Sequence, residues 1–190
     1  DNSSEMGDNL TSIDLGTGAI AISTGYQHTC ALLDNASVKC WGRGKWGPIG
    51  HGKTASWGDG PNEMGDNLPS IDLGTDRTAT AISAGRDHTC ALLDNASVKC
   101  WGWNLYGQLG QGNTDDIGDN SSEMGDNLTS IDLGTGRTAT AISAGYRHTC
   151  VLLDNAYVKC WGSGALGKLG QGNTTNISNQ PSEVGDNLPS

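Results

Sequence analysis

An internal repeat constrains the fold of this chain more than any other feature. The octapeptide His28–Asn35 recurs at His88–Asn95 and, with one substitution, at His148–Asn155. Such fixed-period self-similarity is the signature of arrays in which each unit is one supersecondary structure that packs on its neighbours. We therefore divide the chain into repeats at residues 1–60, 61–120 and 121–180, with residues 181–190 beginning a further unit.

Each repeat has the pattern of a small antiparallel sheet. Thr78–Ser83 alternates small polar with apolar residues, and His88–Leu93 and Ser97–Trp101 flank the turn residues between them. Ser130–Leu133 is a candidate for a fourth short strand. The 29 glycines and the absence of Phe also favour a turn-rich β protein. We predict an all-β fold of tandem antiparallel blades of about 60 residues, β-propeller-like, with three units that are open or completed by neighbouring chains.

The six cysteines test the predicted hairpin. If the chain folds back about Asn95, Cys90 lies directly opposite Cys100, at a separation that a disulfide can bridge. Zinc is the alternative, but C-x₉-C is not a typical ligand spacing. The same folding uses every cysteine, in the pairs Cys30–Cys40, Cys90–Cys100 and Cys150–Cys160. Disulfides indicate an oxidising compartment, so we expect an extracellular or cell-surface protein.

The charge of the chain excludes some classes of partner. A net charge of −10 argues against nucleic acid and anionic membranes, which select basic surfaces. No apolar run approaches the roughly 20 residues that span a bilayer, so we expect no membrane insertion. The chain opens with Asp1 and has neither an initiator Met nor a signal peptide, and we expect a processed product or part of a longer chain.

Two motifs in each repeat resemble a known family. Ile142–Cys150 resembles the strand-turn-strand core of the regulator-of-chromosome-condensation repeats, and so do Val98–Gly102 and Asn104–Gly110. The chain is most similar to the cysteine-bearing, extracellular branch of that family. The resemblance implies four-stranded blades in a propeller, typically of seven blades, and three units are too few to close such a ring. The sequence departs from the family where a turn glycine is usual, and there we expect mild backbone strain at Ala36, Ala96 and Ala156.

Two motifs look catalytic but are better explained by the repeat. Gly47–Thr54 matches the phosphate-loop pattern, yet the residues that follow do not favour a helix, and the other repeats have Asn in place of the lysine. Ala81–Gly85 faintly resembles a nucleophile elbow, but it occurs in every repeat. We therefore predict that the chain is not an enzyme and uses no cofactor or metal.

Two sets of polar residues have a functional and a structural explanation. A metal ring could use His28, His88 and His148, but we favour imidazoles that tie a strand to a neighbouring backbone group. Calcium could bind among the acidic side chains of one loop region, but they lack the spacing of a known calcium loop. For this second set we favour solvated turn residues: Asp119, Glu123, Asp126 and Asp132.

The aromatic residues fall into a repeated and an unrepeated group. We expect the repeated Trp41, Trp101 and Trp161 to pack between blades or over the disulfides. Aromatic residues that differ between repeats are candidates for exposed recognition of a glycan or protein. These candidates are Trp46, Trp57, Trp103 and Tyr157.

Asparagine sequons are the remaining signal. An extracellular chain could carry N-linked glycans at such N-x-S/T sites, although polar turns also create these tripeptides by chance. The candidates are Asn2, Asn9, Asn35, Asn95, Asn120, Asn127, Asn173 and Asn176.

These patterns support two functions. The first is a non-catalytic extracellular structural protein that associates head to tail into a surface layer or fibril and is glycosylated. Residues 179–190 match residues 1–12 in register, so we expect Glu183–Ser190 to take the place of Glu5–Ser12 in a neighbouring subunit. The alternative is a propeller-type binding module that recognises a glycan or a protein.

Overall fold

Nine strands form three separate antiparallel sheets. The computed structural model describes residues 7–189. Each repeat contributes one sheet, whose strands follow each other in chain order. The strands are β1 (Ala19–Thr24), β2 (His28–Leu33) and β3 (Val38–Gly42) in sheet 1, β4 (Ala79–Ala84), β5 (His88–Leu93) and β6 (Val98–Gly102) in sheet 2, and β7 (Ala139–Ala144), β8 (His148–Leu153) and β9 (Val158–Gly162) in sheet 3. The all-β prediction of tandem antiparallel blades is confirmed.

Short helical turns connect the sheets. A single turn of 3₁₀ helix with the sequence Gly-Asp-Asn precedes the first strand of each sheet and recurs after sheet 3, and two further turns lie near the end of the chain. These turns are Gly7–Asn9, Gly65–Asn67, Gly125–Asn127, Ala165–Gly167, Pro181–Glu183 and Gly185–Asn187. Within residues 7–189, no helix is long and apolar enough to cross a membrane.

The hairpins have the register that folding about Asn95 predicts. Cys90 is paired with Cys100 and Leu92 with Val98. At the tip, the Asn95 side-chain oxygen accepts a hydrogen bond from Ser97 N at 3.1 Å, which closes the turn. Ala96 takes φ = 61°, and the two equivalent alanines do the same. The turn therefore uses the left-handed conformation that favours glycine.

The predicted fourth strand does not form. Ser130–Leu133 lies outside the strands, and its backbone bonds sheet 2 once, from Ile131 N to Val98 O at 2.8 Å. One such bond holds the segment against the edge of the preceding sheet without a continued ladder. An isolated bridge between Gly102 and Ile117 extends the other end of β6.

Consecutive sheets bury apolar faces against each other. Leu92 and Val98 of sheet 2 share a core with Ile131, Val151 and Trp161 of the third repeat. The first strands of neighbouring sheets also approach closely, since Ala144 N donates to Ser83 Oγ at 2.8 Å. The equivalent residues join sheets 1 and 2 in the same way. The repeat thus generates one type of inter-sheet contact, which occurs twice.

Candidate functional site

The cysteines lie in the second hairpin of each sheet. The structure joins Cys30–Cys40, Cys90–Cys100 and Cys150–Cys160 by disulfide bonds. The first two pairs are fully buried at the contacts between sheets, whereas the third is partly exposed on the last sheet. These bonds hold β2, β5 and β8 to the neighbouring edge strands and leave no free cysteine.

Two of the three repeated histidines link one sheet to the next. His28 Nε2 lies 2.8 Å from Thr89 Oγ1, and Thr89 in turn donates to Pro48 O at 2.8 Å. His88 makes the equivalent contact with Thr149 at 3.0 Å. The predicted structural role is therefore found, but the partner is a threonine hydroxyl of the following repeat and not a backbone group. No metal-binding cluster is present in residues 7–189.

The threonine fixes the tautomer of the histidine. Its hydroxyl carries one proton, which it donates to Pro48 O, so His28 must donate from Nε2. Protonation would then place the second hydrogen on Nδ1 in a buried site. Burial lowers the pKa of His28 to about 4 and that of His88 to about 3. Gly85 makes room for this ring, since a Cβ there would lie 2.2 Å from His88 Cε1.

The two catalytic-looking motifs have structural roles. Gly47–Thr54 is an irregular loop, and the next helical turn along the chain begins only at Gly65, so the loop does not lead into a helix as the phosphate-loop motif requires. Ser83 lies within β4, where its hydroxyl accepts the inter-sheet hydrogen bond from Ala144.

Two of the four candidate calcium ligands close turns of the backbone, and a third joins two loops that are distant in the chain. Glu123 accepts hydrogen bonds from Gly118 N and Asn120 N, and Asp132 accepts one from Gly134 N. Asp126 accepts two from Thr75, and these bonds lower the pKa of its carboxyl. Asp119 is partly buried in the same loop.

The sequons lie mostly at exposed positions. Asn176 is the exception, since it is half-buried and its side-chain oxygen accepts a hydrogen bond from Gly164 N. Asn2 lies outside the described residues. The other six are exposed: Asn9, Asn35, Asn95, Asn120, Asn127 and Asn173.

The tryptophans separate into structural and surface groups. Trp101 and Trp161 are fully buried between sheets, where they donate to Pro48 O and Gln108 O. Trp57 also packs internally, with its indole N–H donating to Glu63 O and its ring against His51. Of the four recognition candidates, Trp46 and Trp103 meet each other at 5.7 Å between ring centres. Tyr157 is exposed on a hairpin tip instead.

Two loops of each repeat are held side by side. The first loop is the turn between the first two strands, and in repeats 1, 2 and 3 it carries Gln27, Asp87 and Arg147. The second loop follows the third strand and begins, in the same order, at Arg43, Trp103 and Ser163. In all three repeats the backbone N–H of the second loop donates to the carbonyl of the first at 2.8 Å. Tyr26 N also donates to Arg86 O of the next repeat. The variable side chains therefore converge on one surface.

That surface alternates aromatic rings with guanidinium groups. The Arg86 guanidinium lies 4.9 Å from the Tyr146 ring centre and 5.8 Å from that of Trp103. The Arg147 guanidinium lies 5.0 Å from the Tyr106 ring, whose hydroxyl it also contacts at 3.0 Å. We call this surface the aromatic–basic face. It comprises Tyr26, Arg43, Lys45, Trp46, Arg86, Trp103, Tyr106, Tyr146 and Arg147.

The aromatic–basic face is positively charged, whereas most of the other lysines and arginines are buried or paired with aspartates. The chain has 11 Lys and Arg, of which four lie on the face. Three lysines are buried, and each donates to two backbone carbonyls, as Lys99 does to Leu73 O and Gly125 O. Arg77 and Arg137 pair with aspartates at hairpin tips. On the face, Asp87 lies 3.1 Å from Arg86 and offsets one charge.

Sequence reasoning identified two members of the face, Trp46 and Trp103, and missed its arginines and tyrosines. The missed signal was positional. The two loops are the places where otherwise near-identical repeats carry different large side chains, so Tyr26 aligns with Arg86 and Tyr146. An alignment of the repeats would have selected these positions.

Known proteins resemble the chain in sequence. Models of the regulator of chromosome condensation (RCC1) repeat match residues 19–45, 79–108 and 139–168. The ultraviolet-B receptor UVR8 of Arabidopsis thaliana is 26% identical over 80% of this chain, and the human E3 ubiquitin-protein ligase HERC2 is 28% identical over 80%. The chain spans only 31% and 3% of the length of these two relatives.

Solved structures share the fold. Human WBSCR16 superposes with a TM-score of 0.68 at 24% identity, covering 89% of this chain and 42% of that protein. Yeast RCC1 (Prp20), in a structure bound to Kap60, superposes with a TM-score of 0.61 at 18% identity, covering 87% of this chain and 37% of that protein. These structures show the fold alone, and the three matched repeats assign the family: the chain belongs to the RCC1 repeat family.

Proposed function

We propose that this chain is a binding module whose aromatic–basic face takes a protein partner through the partner's carboxylate groups. The observation that carries the proposal is the collection of repeat-specific side chains on one surface, while the repeated residues maintain the stack of sheets. Surfaces rich in Trp, Tyr and Arg are typical of binding hot spots.

The chemistry of the face favours carboxylates. A guanidinium group offers paired N–H donors that match a carboxylate, and stacking against aromatic rings orients the guanidinium. Arg86 and Arg147 both lie against Tyr146 and Trp103, so their donors are held within one patch. Nucleic acid is disfavoured by the net charge of −10, which repels a polyanion at long range.

Relatives of the same fold support a role in protein binding. The solved complex contains yeast RCC1 (Prp20) bound to Kap60, and a second structure of Prp20p is described with its binding properties to Gsp1p and histones. This chain covers 37% and 35% of those two proteins. Protein binding by these RCC1-type folds therefore supports a protein-binding role for this chain. It does not indicate that the partners are the same.

The test is a titration with a defined acidic probe. We expect an acetylated peptide of alternating glutamate and tyrosine to bind with a Kd of about 10–100 µM in low salt, and more weakly as salt screens the charges. The same peptide with lysine in place of glutamate should not bind. Stronger binding of a single-stranded oligonucleotide than of the acidic peptide would refute the proposal.

A matched pair of variants assigns the binding to the face. Arg86→Gln combined with Arg147→Gln should weaken peptide binding at least about tenfold, because two charge-assisted contacts are lost. Arg77→Gln combined with Arg137→Gln removes the same charge from hairpin tips outside the face and should leave binding unchanged. Equal losses in both variants would indicate nonspecific electrostatics and contradict the proposal.

A second candidate function is structural, with copies associating head to tail into a surface layer or fibril. The exposed apolar surfaces of the first and third sheets favour it.

The three disulfides suggest a protein outside the cytosol, and we propose an extracellular or cell-surface location.

We further propose N-glycosylation at the exposed hairpin tips, Asn35 and Asn95. Expression through a secretory pathway, followed by intact-mass measurement, tests it. The mass should fall by one glycan in Asn95→Gln, whereas an unchanged mass would refute occupancy of that site.

A further inference from the structure

The first and last sheets each display one half of a contact that occurs twice inside the chain. Between sheets 1 and 2, and again between sheets 2 and 3, the edge strand and central strand of one sheet pack on the repeat that follows. We call the surface of sheet 1 that points away from sheet 2 the leading face, represented by Ile13, Ile22 and Trp41. The corresponding uncovered surface of sheet 3 is the trailing face, represented by Leu152 and Val158.

The trailing face is apolar and exposed. Leu152 and Val158 are 39% and 50% exposed, whereas their equivalents in sheet 2, Leu92 and Val98, are 7% and 0% exposed. Ala141 and Cys150 line the same shallow apolar cavity. The residue types at these positions are those that form the buried contacts of sheets 1 and 2, so the trailing face is suited to receive another repeat.

The leading face carries the complementary apolar side chains. Ile22 is 70% exposed, whereas its equivalents Ile82 and Ile142 are partly buried against the preceding repeat. Ile13 is 60% exposed, whereas Ile71 and Ile131 are 6% exposed.

The hydrogen-bonding groups of the two faces are also complementary. At each internal contact, histidine meets threonine, and one loop carbonyl accepts from that threonine and from a tryptophan. The trailing face retains the histidine and the carbonyl, at His148 and Lys168. The leading face retains the threonine and the tryptophan, at Thr29 and Trp41. Among the described residues these four groups lack the partners that their equivalents have.

The ends of the described chain are compatible with such a joint. Leu188 is 2% exposed because Gly185–Asn187 packs on the chain's own third sheet, where Lys159 donates to Gly185 O. Leu10, its equivalent at the head of the chain, is 63% exposed. The C-terminal segment can therefore stay in place while the exposed head segment of an incoming copy gives way. In that arrangement the C-terminal segment lies beside sheet 1 of the incoming copy. This is the position that we expected Glu183–Ser190 to take in place of Glu5–Ser12 of that copy.

We propose that two copies of this chain join by docking the leading face of one on the trailing face of the other, so that sheet 1 continues the stack after sheet 3. The proposal deepens the structural function proposed above and is independent of peptide binding. The incoming Thr29 hydroxyl receives a hydrogen bond from His148 Nε2 and donates to Lys168 O. The incoming Ile13 and Ile22 cover Val158 and Leu152. Such a contact uses different surfaces on the two partners, so a copy blocked on one face can still use the other.

The experiment separates the two faces. Ile22→Asp blocks the leading face and Val158→Asp the trailing face, and both side chains are exposed in the single chain, so folding should be preserved. By light scattering after gel filtration, we expect the unmodified chain at high concentration to exceed 19.7 kDa and each variant alone to remain at that mass. An equimolar mixture should form a species of twice the mass, because each variant supplies the face that the other lacks.

A matched control lies two residues away. Ile20 is also exposed in β1, but its equivalents Thr80 and Thr140 stay exposed inside the stack, so Ile20→Asp should leave association unchanged. A monomeric unmodified chain, or a mixture that stays monomeric, would overturn the proposal, as would self-association of the single variants. Acidic-peptide binding measured on Ile22→Asp keeps the two proposals distinguishable, since that variant retains the aromatic–basic face.

Discussion

Mild acid should loosen the contact between sheets through its buried histidines. Burial, together with the neighbouring His28 and His148, lowers the pKa of His88 to about 3. Since an unfolded histidine has a pKa near 6.5, the folded state then binds fewer protons than the unfolded state. The stabilisation is therefore complete above pH 6.5 and is lost progressively as the pH falls towards 3. His28, with a pKa of about 4, behaves in the same direction.

The magnitude follows from the two pKa values. Each pH unit below 6.5 removes about 1.4 kcal/mol of stability per histidine that remains neutral in the fold. Between pH 6.5 and pH 5, His88 alone should remove about 2 kcal/mol, a large part of a typical stability of about 5–15 kcal/mol. Carboxylates with lowered pKa values, such as Asp126 and Asp186, lose their contribution mainly below pH 4, outside this window.

Urea unfolding at pH 7.5, 6.5, 5.5 and 5.0 would measure this loss. The comparison variant is His88→Gln, whose amide N–H can still donate to Thr149 but does not titrate. We expect this variant to be less stable than the unmodified chain at pH 7.5. On going to pH 5, its free energy of unfolding should fall by about 2 kcal/mol less than that of the unmodified chain. Parallel pH dependences of the two proteins would refute the assignment of the acid sensitivity to the inter-sheet histidine.

Three further predictions concern the fold and use thermal or urea unfolding. Replacing Cys90 and Cys100 together by serine should lower the free energy of unfolding by about 3 kcal/mol, and an unchanged value would contradict the bond. Lys99→Met should lower it by about 2 kcal/mol, because Leu73 O and Gly125 O lose their donor, whereas the exposed Lys53→Met should have little effect. Ala96→Gly should raise it by about 0.5–1 kcal/mol by relieving φ = 61°, and destabilisation would argue against that strain.

The local part of this fold was predictable because it depends on short-range rules. Alternation defined the strands, and a hairpin centred on Asn95 set the register that brings Cys90 opposite Cys100. The predicted strand at Ser130–Leu133 was wrong. Only Ile131 N bonds the edge strand, at Val98 O, whereas the carbonyls of Asp132 and Leu133 accept from Gly185 N and Lys159 Nζ. The repeat pattern alone did not show that this loop would leave the sheet edge after a single pairing.

The candidate site was less predictable because its members are close only through the stacking of sheets. Tyr26 and Arg86 are 60 residues apart and meet across the contact between two repeats. Likewise, His28 could be recognised as structural, but its threonine partner belongs to the following repeat. Contacts of this kind require the relative placement of whole sheets, which no local pattern in the chain specifies.

The division between repeated and unrepeated residues has a physical cause. A stack that uses the same contact at each step requires the same side chains at each step, which accounts for the repeated histidine, threonine, cysteine and tryptophan positions. The two loops of the aromatic–basic face are instead held by backbone hydrogen bonds, such as Trp103 N to Asp87 O. Bonds between main-chain groups place few demands on the side chains. The face can therefore carry tyrosine in one repeat and arginine in the next without altering the sheets beneath it. The surface that we propose for partner binding is thus separate from the surfaces on which the sheets stack.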